Sequence, residues 1–303
     1  MTLAERLWTY QAERFPLKKT VPLLAVLSAA SISVSAHLAG RPLPKWGAFA
    51  AAFAVAMAVF FQMRACDEWK DAEDDRRYRP HRPIPRGLIQ QSTVLALGAS
   101  TVPFAAIAAW LWHPPVLWMM VPMWIWLGAM TVEFGVSDWL KARPVLYLLS
   151  HMLILPLLVL VLTAFEWMPA GSAPQMLWMF LALAYVNGCV IEIGRKLWAT
   201  ENEVAGVDTY SGLWGPKRAA TVWLACVALA WVLLTGVAFA TGTGRATLVL
   251  GGAAFAVCAW SANLYRHRAT AAAEARMDTS SGLWVFFCYA TAGFLPFVSK
   301  GFG

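Results

Sequence analysis

Charged residues are scarce in this 303-residue chain: Lys, Arg, Asp and Glu make up 14% of it, and hydrophobic residues make up 59%. Soluble domains carry about 25% charged residues, so this composition excludes an ordinary soluble protein. The mean hydropathy is +0.57, and several apolar stretches are long enough to span a hydrocarbon core of about 30 Å. The sequence therefore predicts an integral membrane protein.

Paired cysteines are also lacking. The five cysteines are odd in number, widely scattered and without CxxC spacing, which excludes a disulfide framework or a cysteine-based zinc site as an organising feature. No soluble domain, linker or low-complexity tail is recognisable, so we expect residues 1–303 to form a single transmembrane domain. The first nineteen residues are amphipathic, and the apolar stretch after them is too long for a secretory signal peptide. We therefore expect a cytoplasmic N-terminus.

Nine apolar stretches predict an all-α membrane protein, with nine transmembrane helices in a bundle around a central cavity that opens near the cytoplasmic side. Of the 24 Lys and Arg residues, 19 fall on the side of the N-terminus, and basic residues concentrate on the cytoplasmic side of membranes. We expect a multi-pass protein of the plasma (inner) membrane of a prokaryote. The approximate bounds of the stretches are 20–39, 46–66, 88–112, 115–137, 144–166, 174–198, 217–241, 245–265 and 281–299.

The densest block of charge, Asp67 to Gly87, follows the second apolar stretch directly and reads DEWKDAEDDRRYRPHRPIPRG. If the preceding helix continues, Glu68, Asp71 and Asp75 lie within an arc of roughly 60° on one face. Carboxylate oxygens are ligands that Mg²⁺ prefers, and the arginines that follow carry forked donors suited to phosphate. The pattern favours a magnesium-diphosphate site. The alternative is a solvated cytoplasmic loop of the kind that orients membrane proteins.

A second charged block, Glu192 to Gly215, follows the sixth apolar stretch on the same membrane side. Glu192, Arg195 and Lys196 share one helical face, and Gly206 marks a turn in the predicted loop beyond them. Two such blocks, four helices apart, suggest that two halves of the bundle face one cavity. The remaining polar residues of this loop are Glu201, Asn202, Glu203 and Asp208.

The first block resembles the NDxxDxxxD motif of the UbiA-type intramembrane prenyltransferase superfamily, which follows the second helix and is often trailed by RPIPxG. Asp67 stands at the Asn position and Glu68, Asp71 and Asp75 at the three Asp positions, while Arg82 to Gly87 reads RPIPRG. The resemblance covers nearly the whole chain. It implies that Mg²⁺ bridges the carboxylates to a prenyl diphosphate, whose isoprenyl chain passes through an allylic carbocation to a hydrophobic, aromatic acceptor.

The resemblance also implies roles for individual residues, and the second block departs from the family pattern because its charges are mixed. Either a glutamate of the block replaces the missing acidic ligands, or its cations hold the diphosphate directly. The expected catalytic residues are Glu68, Asp71, Asp75 and Glu192. The expected metal ligands are Asp67, Glu68, Asp71, Asp75, Glu201 and Asn202, with Glu192 and Glu203 as further candidates for the second block. The expected diphosphate-binding residues are Arg64, Lys70, Arg82, Lys141, Arg143, Arg195 and Lys196.

Several ionisable residues allow two interpretations. Arg64, one turn before Glu68, either contacts substrate or pairs with Glu68. Glu133 and His151 lie in apolar stretches, where a hydrogen-bonded structural role is favoured over proton transfer. Asp278 is expected near the N-cap of the ninth helix.

Two other functions use the same features. A terpene cyclase of the same fold would act on a prenyl diphosphate without an acceptor. A lipid-phosphate carrier or transporter is the alternative of another class, but the paired interrupted helices of many transporters are not recognisable. In each case the partners are a prenyl or lipid phosphate and membrane lipid, not nucleic acid, because membrane orientation accounts for the net charge of +7.

Overall fold

The computed structural model describes the backbone of residues 1–300 and the side chains of residues 1–298. Eight helical segments in this part of the chain are long and apolar enough to cross a membrane, and Val116–Thr131 is a shorter apolar helix. The helices are α1 (Leu3–Arg14), α2 (Leu17–Leu38), α3 (Trp46–Lys70), α4 (Ala72–Tyr78), α5 (Gln91–Trp112), α6 (Val116–Thr131), α7 (Ser137–Lys141), α8 (Pro144–Met152), α9 (Ile154–Ala170), α10 (Leu177–Gly194), α11 (Tyr210–Trp214), α12 (Pro216–Ala240), α13 (Gly244–His267) and α14 (Ala271–Lys300).

The long helices form a closed ring in chain order. Each of them packs against the next, from α2 through α3, α5, α6, α9, α10, α12 and α13 to α14, and α14 packs back against α2. Helices α2 and α9, and likewise α10 and α14, also touch across the ring. The short helices α4, α7 and α11 and both charged blocks lie in the connections at one end of the ring, so the bundle brings the two blocks to the same end.

Apolar side chains cover the outside of the bundle as well as its core. Trp118 is 73% exposed and Leu111 79% exposed, while Trp223 and Phe165 are fully buried inside. A helix must satisfy its own backbone polar groups in lipid, and the hydrocarbon then accepts apolar side chains at no cost. This distribution confirms the predicted all-helical membrane bundle.

Three boundaries differ from the sequence prediction. Helix α6 ends at Thr131, because a 3-10 turn over Glu133–Gly135 with positive φ angles at three successive residues interrupts the helix. The span that follows is divided at Leu153 into α8 and α9. Helix α14 begins at Ala271, about ten residues earlier than expected. The N-cap interpretation of Asp278 is therefore wrong: Asp278 lies inside α14, where its carboxylate is 3.8 Å from Lys19 Nζ.

Candidate functional site

The first charged block continues α3 almost without interruption. Helix α3 ends at Lys70 and α4 begins at Ala72, but the amide of Asp71 donates to the Asp67 carbonyl at 2.9 Å, and the amide of Asp75 donates to the Asp71 carbonyl at 2.8 Å. The helical path therefore continues through the motif, and Glu68, Asp71 and Asp75 keep nearly the spacing that a single helix would give them. The carboxylates nevertheless lie in three different surroundings, because residues from elsewhere in the chain contact some of them and not others.

The Glu68 carboxylate is held by the N-terminal helix α1. Arg14 Nε lies 2.6 Å from Glu68 Oε1, and the Tyr10 hydroxyl donates to the same oxygen at 3.3 Å. Glu68 and Tyr10 are buried, and the Arg14 side chain is only 11% exposed. A buried carboxylate needs such a partner to remain charged. The structure therefore places Glu68 in an ion pair with a residue 54 positions away.

The Asp75 carboxylate organises three arginines. Arg82 Nη1 donates to both carboxylate oxygens at 2.7 Å, and Arg79 Nη1 donates to Oδ1 at 2.9 Å. Arg14 Nη2 lies 3.8 Å from Oδ2. Asp75 is 3% exposed, so these guanidinium groups compensate its charge inside the fold. This arrangement holds Arg79 and Arg82 beside the motif. The guanidinium N–H groups that do not bind Asp75 stay free to bind another group.

Asp67 and Asp71 keep the most free carboxylate oxygens. Among the described residues, the one ion-pair partner of Asp67 is Arg64, at 3.5 Å, so of the two interpretations of Arg64 the pairing with Glu68 is wrong. The Asp71 carboxylate has no ion pair or hydrogen bond among the described residues. Burial raises the pKa of Asp71, Lys70 and Arg79 oppose the shift, and the carboxylates of Asp67 and Asp75 add to it. A carboxylate without an ion pair beside two other carboxylates is in surroundings that a bound cation would stabilise.

Within the described residues, no three His, Cys, Asp or Glu side chains form a preassembled metal site. Mg²⁺ is commonly held by one or two carboxylates together with substrate phosphates, rather than by a protein cage. The free oxygens of Asp67 and Asp71 fit that arrangement, whereas Glu68 Oε1 and both carboxylate oxygens of Asp75 already accept from arginines.

The second charged block forms the predicted cluster on one face of α10. Arg195 Nη2 lies 2.5 Å and Lys196 Nζ 3.1 Å from the Glu192 carboxylate. The Glu192 charge raises the pKa of Arg195, partial burial opposes the shift, and Asp67 of α3 adds to it. The two charged blocks therefore lie within electrostatic reach of each other, as the sequence predicts.

The loop beyond α10 is organised by its own acidic residues. Glu203 accepts hydrogen bonds from the Thr209 and Ser211 hydroxyls at 2.6 Å each. Glu201 Oε1 accepts from the Ala271 amide at 3.2 Å, and Asn202 donates to Glu274 at 2.7 Å. Glu201 and Asn202 therefore tie the loop to the start of α14. Their metal-binding role stays a prediction that these contacts do not support.

The same loop docks on α4 through Gly206. Its φ angle is +87°, and a Cβ atom there would lie 2.4 Å from the Tyr78 ring. An L-residue in the left-handed region costs roughly 1–2 kcal/mol, and the close approach to Tyr78 adds a clash. Glycine at this turn lets the connections of the two charged blocks touch.

We expect Gly206→Ala to lower both the thermal unfolding midpoint and the turnover of the detergent-purified protein. Gly242→Ala is the matched control, because Gly242 has nearly the same positive φ, of +86°, but a Cβ atom there meets nothing within 4 Å. Backbone strain alone would affect both variants alike. Equal losses in the two variants would show that docking on Tyr78 contributes nothing.

A third polar group surrounds Tyr147 on α8. Lys70 Nζ donates to the Tyr147 hydroxyl at 2.7 Å, and that hydroxyl donates to Glu133 Oε1 at 3.4 Å. Ser137 donates to Glu133 Oε2 at 2.7 Å. The His151 ring stacks on Tyr147 with centroids 3.9 Å apart. Charge in an apolar stretch singles out Glu133 and His151 in the sequence, but nothing there singles out Tyr147, because only the break after α6 brings the three together.

The remaining predicted cations differ in their surroundings. Lys141 Nζ lies 3.9 Å from Glu133 Oε1 and is half-exposed. The Arg143 guanidinium stacks over the exposed Trp139 ring, with 4.4 Å to the centroid, and donates to the Trp139 carbonyl. The structure thus directs Arg143, which precedes α8, back onto the short helix α7. Tyr10 and Arg14 were missed, although their spacing of four residues places them on one face of α1.

Comparisons with known proteins agree with the fold. The model of the UbiA prenyltransferase family matches residues 26–290. The solved structure of a digeranylgeranylglyceryl phosphate synthase superposes with a TM-score of 0.60 and 16% sequence identity, covering 96% of this chain and 99% of that chain. Likeness at this identity concerns the fold alone. A search among curated proteins found no match.

Proposed function

Because this chain belongs to the UbiA prenyltransferase family, we propose that it is a Mg²⁺-dependent intramembrane prenyltransferase, which moves an isoprenyl chain from its diphosphate to a hydrophobic, aromatic acceptor. The observation that carries this proposal is a pair of neighbouring carboxylates with few partners: Asp71 has no ion pair or hydrogen bond among the described residues, and Asp67 has one arginine at 3.5 Å and lies within electrostatic reach of Arg195 in the second block. In such a site, the positive charges of the metal ion and the protein cations balance the negative charges of the diphosphate and the carboxylates.

Asp67 and Asp71 would hold the metal ion. When bound, Mg²⁺ supplies neutralisation of the charge that develops on the leaving diphosphate. Glu68 and Asp75 have a different role in this proposal, since Arg14, Arg79 and Arg82 already neutralise them. Glu68 anchors α1 over the site, and Asp75 orients two arginines toward the substrate.

Unpartnered cationic donors favour an anionic ligand at this end of the bundle. Arg64 Nε and Arg79 Nε are buried and have no hydrogen-bond partner among the described residues. A buried donor without a partner costs about 1–3 kcal/mol, and a phosphate oxygen would satisfy it. With Lys70, Arg82, Arg195 and Lys196 close to the carboxylates, these donors can bind the diphosphate from several sides.

The chemistry then follows from charge and water exclusion. The allylic C–O bond breaks with its electron pair on the diphosphate oxygen, where the surrounding cations stabilise the developing charge. The isoprenyl chain lies between the helices, where apolar side chains keep water from the carbocation. An acceptor carbon attacks the cation, the acceptor ring then loses a proton and regains its aromaticity, and the product leaves into the bilayer. We propose that the diphosphate binds on the cytoplasmic side of a prokaryotic plasma membrane, on the same side as the N-terminus, as the distribution of basic residues suggests.

The test uses detergent-purified full-length protein, Mg²⁺ and the series geranyl, farnesyl and geranylgeranyl diphosphate. Each donor is incubated with and without aromatic acceptors (4-hydroxybenzoate, hydroquinone and 1,4-dihydroxy-2-naphthoate), and released diphosphate and prenylated products are measured. Diphosphate release that depends on acceptor and yields prenylated acceptor supports the proposal. A cyclic product without acceptor would instead identify a terpene cyclase. Donor binding without any release would identify a carrier.

A further inference from the structure

The group around Tyr147 shares Lys70 with the proposed diphosphate site, but that site makes no use of Tyr147, Glu133 or His151. Glu133 is 3% exposed although it is acidic. Its backbone and that of Phe134 have φ angles of +50° and +56°, a region that non-glycine residues rarely adopt. Such strain persists only where the surroundings enforce it, and it concentrates at functional sites.

The hydrogen bonds around Tyr147 run in one direction. Lysine can only donate, so the 2.7 Å contact makes the Tyr147 oxygen an acceptor toward Lys70. The phenolic proton then points to Glu133 Oε1, 3.4 Å away. A hydroxyl oxygen has two acceptor lone pairs, and Lys70 occupies one of them. The other lone pair stays free to take a proton from a bound molecule.

Tyr147 also lies between the two charged blocks. The charged groups close enough to act on its hydroxyl are Lys70, Glu133, Asp71, Asp67 and Glu192, which belong to both blocks and to the 3-10 turn. Tyr147 therefore lies beside the proposed diphosphate site, within reach of groups from both charged blocks.

A second observation points to a ligand beside Tyr147. His151 is 4% exposed, and its Nδ1 lies 2.9 Å from the Tyr147 carbonyl oxygen. Its Nε2 is buried and has no partner among the described residues. Buried polar atoms are nearly always hydrogen-bonded, so this nitrogen marks a place for a polar group of the acceptor.

We infer that Tyr147 is the catalytic residue that removes the proton from the prenylated cationic intermediate and relays it to Glu133. This inference rests on the proposed function. Attack on the allylic cation forms a carbon–carbon bond and leaves one positive charge on the acceptor ring. The ring C–H bond then breaks, and its electron pair restores the aromatic ring. The proton bonds to the Tyr147 oxygen while the phenolic proton passes to Glu133 Oε1.

The other side chains have supporting roles in this relay. Lys70 and the stacked His151 are positioning residues, because they fix the direction of the phenol. Ser137 holds the second Glu133 oxygen. The half-exposed Lys141, 3.9 Å from Glu133, leads from the buried carboxylate toward cytoplasmic water, where the proton can leave.

The test compares Tyr147→Phe and Glu133→Gln with wild type, using farnesyl diphosphate and the three aromatic acceptors, protonated or ring-deuterated. Tyr185→Phe is the control, because the Tyr185 hydroxyl donates to a backbone carbonyl and not to the Tyr147 group. Prenylated product should fall by about 100-fold, the order of a lost general base. Diphosphate release should continue, with farnesyl alcohol from water attack as the main product, and the residual prenylation should show a primary deuterium isotope effect.

Unchanged product ratios and no isotope effect in both variants would overturn the inference, even if overall rates fall. Two variants are compared so that a folding defect in one of them does not decide the result. Glu133→Gln keeps the shape of the side chain. Thermal unfolding of each variant verifies that the bundle is intact. A wild type that releases no diphosphate from any donor would instead contradict the proposed function, which separates the two failures.

Discussion

Asp71→Asn is expected to lower prenyl transfer by about 100-fold to 1,000-fold, the order that one lost electrostatic stabiliser of developing charge costs. The amide keeps the shape of the side chain but not the negative charge. Asp71 is the carboxylate without a partner among the described residues, so the substitution should not break the fold. The measurement is initial diphosphate release at saturating Mg²⁺, together with thermal unfolding in detergent.

Asp74→Asn is the matched control for Asp71→Asn. It makes the same chemical change three residues along the same motif, where the side chain is exposed to solvent. We expect its turnover to stay close to that of wild type. If Asp71→Asn retains wild-type turnover, or if Asp74→Asn loses as much, the assignment of Asp71 to the metal is wrong.

The second large effect is expected at Arg14. Arg14→Leu leaves Glu68 buried without its cation, and removing one partner of a buried ion pair costs about 3–5 kcal/mol. The thermal unfolding midpoint should therefore fall sharply. The double variant Arg14→Leu/Glu68→Leu removes both charges and should recover much of the lost stability, because no uncompensated charge remains.

Glu68→Gln separates an ion-pair role from a metal-ligand role. If Glu68 anchors α1, this variant loses stability, but the Mg²⁺ concentration needed for half-maximal activity stays unchanged. A marked increase in that concentration would show that Glu68 is a metal ligand, as the family resemblance implies. The unfolding midpoint and the Mg²⁺ titration are measured on the same preparation.

The membrane fold and the positions of the charged blocks could be predicted because they depend on local properties. An apolar stretch must become a helix in lipid, and a block of charge must lie outside the hydrocarbon. The pairing of Glu192 with Arg195 and Lys196 follows from helical periodicity in the same way. Family membership, expected from the spacing of Asp67 to Asp75 and the RPIPRG tail, is confirmed over residues 26–290.

Contacts between distant parts of the chain could not be predicted in this way. Spacing places Glu68 on a face of α3 but does not reveal that Arg14, 54 residues earlier, compensates it. Likewise, periodicity gives no sign that α6 stops at Thr131 and turns Glu133 toward Tyr147. Such pairings depend on how breaks and short helices fold back, and single-helix patterns do not contain that information.

The most direct test of the central claim is the binding of a non-reactive donor analogue, farnesyl thiolodiphosphate, to wild type, Asp67→Asn and Asp71→Asn by isothermal titration calorimetry. Each protein is titrated with Mg²⁺ present and again with excess chelator. If Asp67 and Asp71 hold the metal, wild type binds the analogue much more tightly with Mg²⁺, and both variants lose that difference while keeping the weaker binding to the protein cations. Equal affinity of wild type with Mg²⁺ and with chelator would contradict the account.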